Sequence, residues 1–89
     1  MAEASLEIIN KLGLHARAAA KLASLCVRFR CKITVTKNNQ KADGKSIMSL
    51  MLLAASQGTV LRIQCAGDDE QAALQAITAL FSQRFDEAE

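Results

Sequence analysis

The stretch "NKLGLHARAAAKLAS", residues 10–24, carries the only histidine of the chain, His15, and an arginine two positions later, Arg17. An alanine-rich run follows, which places the imidazole at or just before the first turn of a helix. The first backbone N–H groups of a helix lack intrahelical partners, and the positive end of its dipole lies there. A positive ring is disfavoured at that end, so the spacing predicts a neutral imidazole with a nitrogen lone pair available for attack. An anion delivered to that nitrogen meets backbone donors. Arg17 adds a planar guanidinium suited to phosphate. A nucleophilic imidazole beside such donors is chemistry for holding a phosphoryl group. On these residues alone, the competing reading is a structural surface histidine that caps a helix.

The elements that must position this pair follow from the patterning of an 89-residue chain, the length of one domain (residues 1–89) with one core. Hydrophobic residues make up 51%, yet Trp and Tyr are absent and Phe occurs three times, so the core is built from aliphatic side chains. "SLEII", residues 5–9, puts Leu6 and Ile8 on one face of a short strand. In "ARAAAKLASLCVRFR", Ala19, Leu22, Cys26 and Phe29 form one helical stripe. "CKITVTK" alternates Cys31, Ile33 and Val35 with polar residues, as a half-buried strand does. "NNQ" marks a turn into "KAD", a short partner strand. Ser46 caps a second helix that ends at Gly58, with Ile47, Leu50, Met51 and Ala54 at helical spacing. "TVLRIQCA" is a further strand. Asp68, with Gln71 three residues on, is a capping-box variant that opens a last helix with Ala73, Ile77, Leu80 and Phe81 on its apolar face. "DEAE" reads as a solvated tail. The order βαββαβα predicts an α+β fold: an open-faced sandwich with a four-stranded antiparallel sheet under three helices.

Several function classes are weakened by the same sequence. A net charge of +2 is too small to announce a nucleic-acid binder, and no aromatic residues interleave with Arg17, Lys21, Arg28, Arg30 and Lys32 to stack bases. These charges are read as steering acidic protein partners. "GKS" at 44–46 lacks the glycine a phosphate-binding loop needs at position 39, which is Asn39. Cys26, Cys31 and Cys65 form no C-x-x-C pair, and with one histidine there is no metal-ligand set, so no metal or cofactor is expected. No leader or apolar span is visible, which predicts a cytoplasmic protein without membrane insertion.

Two segments, "NKLGLHARAAAKL" at 10–22 and "DGKSIMSLMLLAASQG" at 43–58, resemble the two signatures of the histidine-containing phosphocarrier proteins. This is the HPr family of the bacterial phosphoenolpyruvate-dependent phosphotransferase system. The βαββαβα order also matches that family, so the resemblance covers nearly the whole chain. It implies that His15 is the phosphoryl acceptor, as a tele- or pros-phosphohistidine, and that Arg17 steadies the group. It implies an Enzyme I-type donor, a IIA-type acceptor, and a serine kinase or phosphorylase acting on Ser46. Partner contacts are implied at Ala20, Lys21, Ser24, Ile47, Met48 and Met51; Met-rich exposed surfaces serve such docking. Ala18 departs from the proline usual in sugar-system members, but alanine favours the same helix start. The alanine-rich version is also similar to the nitrogen-related NPr branch, which leaves the final acceptor open. The chain is expected to be a monomer and a protein substrate in a relay rather than an enzyme acting on a small molecule. The alternative is a regulatory module that signals through its phosphorylation state.

Overall fold

The computed structural model describes every residue, Met1–Glu89. Its elements run β1 (Ala2–Glu7), α1 (Ala16–Cys26), β2 (Lys32–Lys37), β3 (Gln40–Asp43), α2 (Ile47–Leu52), β4 (Val60–Ala66), α3 (Glu70–Ser82) and a 3-10 turn (Arg84–Asp86). Alternation decides the sheet. Ile33 and Val35 of β2, with Leu61, Ile63 and Cys65 of β4, are buried on one side, while Lys32 and Arg62 remain exposed on the other. The four strands form one antiparallel sheet in the order β1-β4-β2-β3, with Ile63 opposite both Ala4 and Val35. Ala18, Ala19, Leu22, Ala23 and Cys26 of α1 and Ala73, Ile77 and Phe81 of α3 complete the core. The expected α+β sandwich is present. No helix is long and apolar enough to cross a membrane.

Five local expectations change. The first strand begins at Ala2 rather than Ser5, because Ala2 and Ala4 occupy core-facing positions that small side chains signal weakly; Ile8 is buried just beyond its end. The stripe of α1 stops at Cys26, and Phe29 lies half-buried in the following turn. α2 has six residues, too few turns to hold a four-residue stripe. Leu50 and then Leu53 enter the core, whereas Ile47 and Ala54 are exposed. At α3 the N-cap is Asp69, not Asp68, and its carboxylate turns away from the helix. It accepts from the Arg30 and Cys31 N–H groups at 2.8 and 2.9 Å, which ties the start of β2 to α3. Those bonds, from Arg30 first, hold the Asp69 carboxyl below its ordinary range.

The fifth change concerns the chain end. "DEAE" is not a free tail. Phe85 is fully buried, its ring 4.9 Å from that of Phe81, and the turn around it carries the last residues back across the start of α1.

The loop before α1 is fixed by a close approach of two backbones. Asn10, fully buried, donates from Nδ2 to the Gly13 carbonyl at 2.8 Å, and the Leu14 N–H donates to the Ala55 carbonyl at 2.8 Å. Gly13 has φ +70°, and a Cβ there would stand 2.6 Å from the Ala55 oxygen and 2.9 Å from Ser56 Cα. Only glycine satisfies both demands. Gly13→Ala is therefore expected to lower stability by at least about 1–3 kcal/mol, the cost of one strained backbone position. A thermal melt should show the transition falling by about 4–8 °C for each kcal/mol lost; an unchanged melting temperature would contradict this.

Candidate functional site

His15 is the N-cap of α1, with extended backbone (φ −76°, ψ −178°) and no side-chain capping bond. The ladder of α1 starts where the Ala19 N–H donates to the His15 carbonyl at 2.8 Å. The N–H groups of Ala16, Arg17 and Ala18 therefore have no intrahelical acceptor. The side chain is freed from capping because its ring is engaged elsewhere. Nε2 lies 2.5 Å from Oε2 of Glu87, and the other oxygen of that carboxylate accepts from Asn10 Nδ2 at 3.0 Å. Two lone-pair-bearing atoms at this separation need a proton between them. The lone pair free for attack is thus not on Nε2. Nδ1 carries no hydrogen bond.

The surrounding charges are arranged in pairs, with one exception. Lys21 Nζ donates to the Phe85 carbonyl at 2.9 Å and stands 3.5 Å from Asp86. Lys11 pairs with Glu89 through the side chains at 3.6 Å, and its N–H donates to the Glu89 carbonyl. Arg17 makes no ion pair. It lines the same open cavity of about 850 Å³ as His15, Lys11, Lys21 and Glu87. Burial pushes the Glu87 carboxyl up, but the contacts from His15 and Asn10 and the charges of His15 and Arg17 outweigh it and hold the group below its ordinary range.

The other predicted residues divide. Ala20, Lys21 and Ser24 share one groove with Arg17 and Arg28 between α1 and α3. Met48 is 70% exposed, and Ile47 and Met51 are about as exposed as each other at 42% and 40%. Leu52 and Leu12, not anticipated, are exposed at 72% and 67%. Ser46 is the N-cap of α2, its Oγ accepting from the Ser49 N–H at 3.2 Å, as its position predicts. The three cysteines are buried and unpaired, and burial pushes their thiols up, which makes them packing groups rather than nucleophiles.

Sequence reasoning missed Asn10 and Glu87. A signal for Glu87 existed: Ile77, Phe81 and Phe85 continue at steps of four, which brings the chain back to the core two residues before Glu87.

The family model described as the PTS HPr component phosphorylation site matches residues 2–83. The chain is 49% identical over 87 residues to the phosphocarrier protein HPr of Xylella fastidiosa, covering 98% of each. It is 44% identical over 86 residues to the phosphocarrier protein NPr of Shewanella violacea, covering 97% of this chain and 94% of that one. The crystal structure of HPr-C-His from Thermoanaerobacter tengcongensis superposes with a TM-score of 0.96 at 43% identity, over the full length of both.

The depressed Glu87 carboxyl gives the tail a pH dependence whose sign is fixed. A group with a lowered folded value stabilises the fold fully above its unfolded value, near 4.5, and loses that contribution as pH falls through the folded one. The stability difference between wild type and Glu87→Gln should therefore be steady just above pH 5 and shrink below about pH 4.5. Paired denaturant titrations at pH 5.5 and pH 3 measure it; a difference that grows on acidification would contradict the assignment.

Proposed function

Because this chain belongs to the HPr family of phosphocarrier proteins of the phosphotransferase system, we propose that it accepts a phosphoryl group on His15 from an Enzyme I-type phosphoenolpyruvate-protein phosphotransferase and hands it to a IIA-type protein. The observation that supports this most is the state of the ring. Nε2 is engaged by Glu87, while Nδ1 is unbonded, at the start of α1 and beside an unpaired arginine. Nδ1 is the acceptor nitrogen. The unpartnered N–H groups of the first turn and the Arg17 guanidinium offer donors to the phosphoryl oxygens, and such preorganised donors lower the cost of charge that moves during transfer.

The whole chain, residues 1–89, acts as one cytoplasmic carrier. A monomer suffices, since His15, Arg17 and Glu87 come from the same chain. Partners dock on the groove lined by Ala20, Lys21 and Ser24 and on the exposed Ile47, Met48 and Met51 of α2. An apolar anchor ringed by cations suits a small transient interface with acidic partners. Acceptors of sugar uptake and of nitrogen regulation both fit this chemistry, in keeping with similarity to HPr- and NPr-named relatives.

Incubation with phosphoenolpyruvate and the donor should add one acid-labile, base-stable group, absent from a folded His15→Ala variant. Arg17→Ala should slow transfer roughly ten- to a hundredfold, the loss of a charge-assisted contact of ~1.5–3 kcal/mol. Labelling that persists in His15→Ala would overturn the assignment.

Ser46 is the modification site in the same reading. A phosphate at the N-cap of α2 is tolerated by the fold, but it sets two negative charges beside Ile47 and Met48, where an acidic partner docks. Ser46→Asp should stay folded and accept phosphoryl groups more slowly, with the deficit narrowing as salt is added. Wild-type rates at low salt would leave Ser46 as a cap alone.

A further inference from the structure

The C-terminal turn is built at a cost that its packing does not explain. Arg84, Phe85 and Asp86 have φ values of 56°, 53° and 63°, three consecutive non-glycine residues in the left-handed region. Each such residue costs about 1–2 kcal/mol. Burial of Phe85 and the bond from Lys21 to its carbonyl hold the turn in place. What the left-handed turn adds is direction: it reverses the chain so that Glu87 meets His15 and Asn10.

We propose that Glu87 is a positioning residue for His15, its carboxylate holding the imidazole proton on Nε2 and balancing the charge that the ring gains when Nδ1 is phosphorylated. This rests on the reading of His15 as the acceptor. Glu87 is gripped at both oxygens. Oε2 accepts from Nε2–H, with the two atoms 2.5 Å apart, and Oε1 accepts from Asn10 Nδ2 at 3.0 Å. Asn10 is itself fully buried and bonded to the Gly13 carbonyl, so the carboxylate is referenced to the same loop that carries the histidine. The Glu87 side chain is only 12% exposed, so solvent competes weakly for that contact. A nucleophile-bearing ring oriented by a third, fixed group is the arrangement that activates histidines in other transfer sites.

The step balances without another reactant. The Nδ1 lone pair attacks the phosphorus of the donor's phosphohistidine. The P–N bond to the donor breaks, and its electron pair stays on the donor's nitrogen. The new Nδ1–P bond leaves the ring cationic, with its remaining proton shared between Nε2 and Glu87. Onward transfer reverses each movement, and the proton never leaves the Nε2–Oε2 pair. A carboxylate at that position stabilises the charge as it develops.

The test compares wild type with Glu87→Ala, Glu87→Gln and Glu89→Gln, each checked for fold. Glu89→Gln loosens the tail without touching His15. The first readout is the Nε2 proton of ¹⁵N-histidine-labelled protein, which a bond to a carboxylate protects from exchange. The second is transfer from the phosphorylated donor, separated into kcat and KM, with the equilibrium constant. Wild type and Glu89→Gln should show the protected proton and full kcat. Glu87→Ala should lose the proton signal, lower kcat about tenfold with KM unchanged, and shift the equilibrium toward the donor. Glu87→Gln, which keeps an acceptor oxygen without the charge, should fall between them. Label confined to His15 with kcat and equilibrium unmoved in Glu87→Ala overturns the role of Glu87 alone. Label that survives His15→Ala overturns the acceptor reading, and the role of Glu87 with it.

Discussion

A four-stranded sheet that buries one face must find its cover among three helices, and in 89 residues those helices have little apolar surface to spare. Ala19, Leu22 and Cys26 of α1 meet that need by sharing one core with Ile33, Val35, Leu61 and Ile63 of the sheet. Full burial of the leucine, isoleucine and valine side chains among them is worth roughly 1.5–3 kcal/mol each. The consequence for the site is positional. With α1 locked by its buried stripe, its first turn can stand only where the preceding loop reaches it. That loop passes within backbone contact of Ala55, which is why Gly13 carries no Cβ. His15 is therefore placed by the core, through a loop with one allowed conformation, and needs no pocket of its own.

Electrostatics then decides what the placed histidine does. The tail brings carboxylates to Lys11, His15 and Lys21, but none to Arg17. The cation left over is the one two residues from the ring, at a helix start whose N–H groups are also unspent. In the proposed reading, a phosphoryl group arriving there finds donors already in place and displaces no ion pair. The apolar residues that a six-residue α2 cannot bury, Ile47, Met48, Met51 and Leu52, remain exposed, and under the proposed function they are the contact area for a visiting protein. The same shortness that makes α2 a poor core element leaves an apolar patch of the kind that proteins use for docking.

Much of this was legible because strong physical signals wrote it. Period-two alternation in "CKITVTK" and "TVLRIQCA" marked the central strands, and both are central in the sheet. The unique histidine ahead of an alanine-rich run marked the start of α1, and Ser46 marked the cap of α2. The weak points had physical causes. Alanines at 2 and 4 carry little hydrophobic signal, so β1 reads three residues late. One stripe was expected of α2 where a helix of one and a half turns has room for one buried residue. Asp68 and Asp69 are adjacent carboxylates, and only the tertiary contact with Arg30 and Cys31 separates their roles. Glu87 was missed for a different reason: the steps of four from Ile77 to Phe85 return the chain to the core, but the left-handed backbone at Arg84–Asp86, which ordinary side chains do not announce, is what turns Glu87 toward a partner 72 residues away.

In the proposed relay the group travels on the nitrogen of His15 that Glu87 leaves free. Protein labelled with ¹⁵N-histidine and phosphorylated by the donor reports this through the coupling of phosphorus to one ring nitrogen. The expected result is ¹⁵N–³¹P coupling at Nδ1 of His15, with Nε2 still protonated. Coupling at Nε2, or a phosphorylated protein whose histidine shows no phosphorus coupling, would contradict it.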